Sequence, residues 1–141
     1  MRNKNRSNIL LVEILMAVLF FMLSATVIAQ VFAASRNMTK KAGAETMALA
    51  QAQNVAESVY GQEDMDAVLT QLGFLQSHGT WTKDYGDFSL YVTGSFRPTD
   101  AGELFEGEVR AFYKTRDVKA ARAADEELFS LPCTWYREVE V

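Results

Sequence analysis

Few residues in this 141-residue chain have the types and spacing that chemistry requires. There is one histidine, His78, and one cysteine, Cys133. A single histidine rules out a histidine-rich metal site and leaves one candidate for a Ser-His or Cys-His pair. His78 lies in "QSHGTW", whose glycine marks a turn, so it reads as a solvent-exposed loop residue. A lone cysteine permits no internal disulfide and reads as a small buried thiol. Glu126 and Glu127 are adjacent, so in a strand they face opposite sides and do not form a dyad. Glu63, Asp64 and Asp66 lack the spacing of a calcium loop and suit a helix N-terminus, where the dipole favours anions. No glycine pattern for cradling phosphates is present. The expectation is a chain with no catalytic, cofactor-binding or metal-binding residues: not an enzyme.

One charged residue does stand out. The chain begins with a tail carrying Arg2, Lys4 and Arg6, then reads "NILLVEILMAVLFFMLSATVIAQVFAAS". Between Ile9 and Ala34 every residue suits hydrocarbon except Glu13, with Ser24, Thr26 and Gln30 giving a milder second half. A carboxylate near the centre of a spanning helix costs about 2.5–3.5 kcal/mol. Close to an end it costs less, because the side chain reaches the interface. Two roles fit Glu13: contact with lipid headgroups, or pairing with a positive group on a neighbouring chain.

The segment that positions Glu13 has 26 residues and neither Pro nor Gly. As a helix it is about 39 Å long, enough to span a bilayer. Three readings compete: a signal anchor, a signal peptide cleaved near Ala33, and a prepilin-type leader followed by its helix. The apolar run before Ala33 exceeds the usual 7–15 residues of a secretory signal, which weakens the second. Arg36, Lys40 and Lys41 follow the span as Arg2, Lys4 and Arg6 precede it, so charge alone does not orient it. The short tail has nothing to fold, whereas more than a hundred residues follow. The N-terminus is therefore placed in the cytoplasm and the C-terminal part outside it.

The stretch "NILLVEILMAVLFF" resembles the leader junction of type IV pilins and type II secretion pseudopilins, with their prepilin-type N-terminal methylation motif. That family has a short basic leader, a mature segment with Glu as its fifth residue, and a long apolar helix. Counting Ile9 as the first mature residue makes Glu13 the fifth and residues 1–8 the leader. The resemblance implies cleavage between Asn8 and Ile9 by a prepilin peptidase. It also implies that Glu13 neutralises the N-terminal ammonium of an adjacent subunit. It implies partners that are other pilin or pseudopilin subunits, storage in membrane lipid, and assembly into a pilus, secretion or competence-type filament. Asn8 stands where the family most often has Gly, Ile9 and Leu10 replace its usual aromatic and polar residues, and the helix lacks its common Pro. The alternative is a single-pass anchor carrying an extracytoplasmic binding domain that does not polymerise.

The helical pattern continues past the span. From Ser35 to Tyr60, Ala48, Ala52, Val55 and Val59 recur on one helical face, with Glu45, Gln53, Asn54 and Glu57 elsewhere and Gly61 as a stop. Residues 35–61 thus read as the amphipathic half of a helix about 78 Å long. Residues 62–141 form the pilin-like α+β domain. There Val68, Leu69 and Leu72 face the core of a short helix ended by Gly73. Phe88, Leu90 and Val92 alternate with polar neighbours after a turn near Asp84–Asp87. Three or four antiparallel strands packed on the helix bury Phe88, Leu90, Val109, Phe112, Leu128 and Trp135. Pro132 places the last strand at an edge or bulges it, and "RDVKAARAADEE" reads as a loop or helical turn before it. Some pseudopilins bind calcium in such a loop. Asp117 and Asp125, with Lys119 and Arg122 between them, do not carry that site over.

Nearly half the residues are apolar. From Arg36 onward, 11 Lys and Arg face 17 Asp and Glu, a balance of −6. An acidic domain lacks the basic footprint of nucleic acid binding, so no nucleic acid partner is expected.

Overall fold

The computed structural model describes residues 2–100, 102–115 and 125–138, with side chains from Ser7 onward. The class is α+β. Helix α1 covers Arg2–Val59 and α2 covers Met65–Gln71. Five strands follow: β1 (Leu75–Ser77), β2 (Thr80–Asp84), β3 (Phe88–Thr99), β4 (Gly102–Tyr113) and β5 (Glu126–Glu138). The sheet is a meander in sequence order, and every pair is antiparallel. The chain divides into two compact units, one ending at Lys40 and the other beginning at Lys41.

In the second unit, α1 packs one stripe on the sheet. Ala44, Ala48, Ala52, Val55 and Val59 are buried at helical spacing, while Glu45, Gln53, Asn54 and Glu57 are exposed. Three of the five buried residues are alanine. Burial of a valine side chain contributes about 1.5–3 kcal/mol, so Val55 and Val59 anchor the end of the stripe. Gly61 takes φ 70°, a left-handed conformation that ends the helix at little cost. Helix α2 starts where the Asp64 side chain accepts a hydrogen bond from the Ala67 N–H at 3.0 Å. Leu69 is its fully buried residue, and Gly73, at φ 83°, follows its end. The Lys83 ammonium donates to the Leu72 carbonyl at 2.6 Å, meeting an otherwise unpaired acceptor at that end.

The sheet alternates as its sequence implies. Phe88, Leu90 and Val92 of β3 pair across with Tyr113, Ala111 and Val109 of β4 and face the helix. Two expectations change. The strand count is five, slightly above the three or four expected, because Leu75–Ser77 pairs with β2 through a two-residue turn at His78 and Gly79. Phe112 is not in the core. Ala111 is fully buried, and Phe112, one residue on, points to the other face against Tyr91. A register shift beside Ala111 and Phe112 admits one extra residue in β5, which leaves Leu128 half-buried at the core's margin. Pro132 lies on the edge strand within an unbroken pairing, away from that bulge. The expected loop at 116–124, with Asp117, Lys119 and Arg122, lies outside the described residues.

One aromatic contact locks the long strands together. Gly94 pairs with Gly107, and the Phe105 ring lies over both. The same ring stacks on Trp135 with centroids 3.8 Å apart and meets Phe96 edge-on at 5.1 Å. A methyl group on Gly94 would sit 2.7 Å from Phe105 Cε2, and one on Gly107 would sit 2.6 Å from Cζ. Phe105 is only 2 % exposed, so its ring has nowhere to move. Gly107→Ala should therefore lower stability by about 1–3 kcal/mol through overpacking. Phe105→Ala should cost about 3–5 kcal/mol through the cavity it leaves. Denaturant unfolding of the full chain in detergent, followed by tryptophan fluorescence, measures both; wild-type midpoints would refute this account of the sheet.

Candidate membrane and assembly segment

The first unit is helix alone, and its surface is the feature that needs explaining. Seventeen large apolar residues from Ile9 to Phe32 are each 48–74 % exposed. None of the most apolar stretch is buried within the chain. A continuous apolar surface of this extent does not persist in water, so lipid or other protein must cover it. The helix is long and apolar enough to cross a membrane. Within this stretch, the Thr26 hydroxyl donates to the Met22 carbonyl at 2.9 Å, which satisfies a polar group without water.

Glu13 lies on this helix between Val12 and Ile14, both 59 % exposed. Among the described residues it has no ion-pair partner. Glu13 is four residues from Ile9, about one helical turn, which places both on the same side of α1. Asn8 and Ile9 are themselves helical and exposed, so the junction between them lies at the surface of α1. The three residues singled out from the sequence thus fall within two turns of one helix.

The other chemistry-bearing residues are kept apart. His78 sits at the β1–β2 turn with φ 51°, and Cys133 sits on β5, the opposite edge of the sheet. Four inter-strand steps separate those edges, roughly 19 Å. The adjacent carboxylates diverge, as strand geometry requires: Glu126 accepts from Lys41 of α1 at 2.6 Å, and Glu127 pairs with Arg110 on the outer face. Glu127 raises the Arg110 pKa through that hydrogen bond. Lys114, through its hydrogen bond, and the Gly86 N–H hold the Asp84 carboxyl below its usual value at the β2–β3 turn. Any stability this carboxylate gives is present above its unfolded pKa and fades as pH falls through the folded one. Among the described residues no group of His, Cys, Asp and Glu is arranged to hold a metal ion.

Sequence reading did not find the groove of about 380 Å³ between the end of α1 and the edge of β5. Ala56, Glu57, Tyr60, Pro132, Cys133 and Trp135 line it. No local sequence pattern announces it, because its walls are more than 70 residues apart in the chain. Cys133 is half-buried on the core face, opposite Gly107, with its thiol directed to the Leu131 carbonyl at 3.7 Å.

Compared with known proteins, the chain matches no family model, no curated protein sequence and no solved structure.

Burial pushes the Cys133 thiol pKa up, which lowers its thiolate fraction near neutrality. Alkylation of the native full chain by iodoacetamide at pH 8 should be slower than that of the same thiol in denaturant. Equal rates would show the thiol to be open.

Proposed function

We propose that the chain is a minor pilin-like or pseudopilin-like structural subunit, stored in the cell membrane and assembling through its N-terminal helix. The observation that carries this reading is Glu13 itself, a carboxylate with no partner among the described residues, set among exposed apolar side chains on a helix of spanning length. A buried charge in an apolar assembly is tolerable only when it is paired, and removing one partner typically costs about 3–5 kcal/mol. If Ile9 becomes the first residue, its ammonium is such a partner when presented by the next subunit. The N-terminus faces the cytoplasm and the sheet domain lies outside it. The partners are other subunits of the same type, the prepilin peptidase and membrane lipid. The served machine is a pilus, a type II secretion pseudopilus or a competence-type filament.

A second reading is favoured by one residue. Asn8 occupies the position that the processing enzyme reads, and without a cut there no ammonium forms at Ile9. The chain would then be a single-pass anchor displaying its sheet domain without polymerising.

Two measurements separate these. Intact mass of protein taken from membranes should show a chain beginning at Ile9, or at Asn8 if the cut follows Ser7. An intact Met1 start selects the anchor, and a start at Ala34 eliminates the pilin reading. Glu13→Ala should abolish crosslinked co-assembly with partner subunits while membrane insertion is unchanged. Full assembly of that variant would sink the role given to Glu13.

A further inference from the structure

Between Ser7 and Lys83 the only basic residues are Arg36, Lys40 and Lys41, all within six positions just past the end of the apolar span. Lys41 is engaged by Glu126. Arg36 and Lys40 are both exposed and have no ion-pair partner among the described residues. They are four residues apart on α1, so their side chains leave one face about 6 Å from each other. Neither has an acidic residue three or four positions away: Phe32, Ala33 and Thr39 flank Arg36, and Asn37, Gly43 and Ala44 flank Lys40. Each is instead the other's like-charged neighbour, an arrangement that costs a helix a few tenths of a kcal/mol. An anion between them would turn that repulsion into attraction.

Their depth identifies the anion. From Ile14 to Ala34 there are 21 residues without a charge, about 31 Å of helix, against a hydrocarbon thickness of about 30 Å. Arg36 therefore lies about 3 Å beyond Ala34, at the outer border of the hydrocarbon. Lys40 lies about 9 Å beyond Ala34, which spans the phosphate layer. Positive charge on the outer side also opposes the usual bias of membrane proteins towards basic residues on the cytoplasmic side. Resting on the membrane placement given above, we propose that Arg36 and Lys40 clasp the phosphate of an anionic phospholipid on the extracytoplasmic face. The guanidinium offers a planar two-pronged donor and the ammonium a point charge.

The test uses the full chain in detergent micelles, with phosphatidylglycerol or phosphatidylcholine added and bound lipid read by native mass spectrometry. Phosphatidylglycerol should be retained in preference to phosphatidylcholine, and millimolar inorganic phosphate should not displace it. R36Q/K40Q should weaken retention about fivefold for each charge removed. Substitution of Arg2, Lys4 and Arg6 by Gln should leave it unchanged. Equal retention of the two lipids, an unaffected R36Q/K40Q variant, displacement by inorganic phosphate, or loss of selectivity only in the tail variant would each overturn the proposal. Resistance of the chain to alkaline extraction from membranes tests the underlying placement separately. A chain that resists extraction but shows no lipid preference refutes the clasp alone.

Discussion

The sheet has a core only because α1 covers it. One face of β3, β4 and β5 presents Leu90, Val92, Phe105, Val109, Ala111 and Trp135, and the cover is the stripe from Ala44 to Val59. A domain of this size buries too small a share of its surface to spare such a contact. Along the stripe, alanines at 44, 48 and 52 give way to Val55 and Val59, which lie beside Phe105, Val109 and Trp135. Lys41 and Glu126 then tie the start of this stretch to the start of β5. Both groups are substantially exposed, so the pair fixes placement more than it adds energy.

α1 meets two different demands along its length. Up to Ala34 its apolar residues surround the axis, and from Ala44 the buried ones lie on one side, with Met47 and Leu49 still exposed. Only the second pattern is satisfied within the chain. The apolar surface around Glu13 is left uncovered by the chain itself, so the proposed function concerns association. Several carboxylates of the sheet domain are engaged on surface partners, as Glu127 is with Arg110 and Asp84 with Lys114.

Much of this was legible in the sequence because the signals were local. The helical spacing of Ala48, Ala52, Val55 and Val59, the acidic start of α2, the stops at Gly61 and Gly73, and the alternation from Phe88 to Thr93 all report their own environment. What was not legible depends on pairing. Residues 75–77 are all exposed and carry no alternation, so only their partnership with β2 makes them a strand. Choosing Phe112 over Ala111 followed size, whereas the register with β3 puts the small residue inwards. Phe105 over Gly94 and Gly107 likewise needs the register before it can be seen. At the candidate segment, the positions of Asn8, Ile9 and Glu13 on one helix could be read directly. A partner for Glu13 on another molecule, as proposed above, leaves no local signal to read.

Both prolines of the chain occupy unpartnered rims of the sheet. Pro132 sits midway along the edge strand β5, and Pro98 sits where β3 extends past the reach of β2. A proline has no N–H to offer an incoming strand, so each interrupts the row of donors and acceptors that would otherwise template one. The sheet is thereby poorly suited to recruiting neighbours through main-chain pairing. Open strand edges invite indiscriminate aggregation. Along β5 and the overhanging part of β3 the two rings obstruct that route and leave lateral contact to side chains, whose identity can discriminate one neighbour from another.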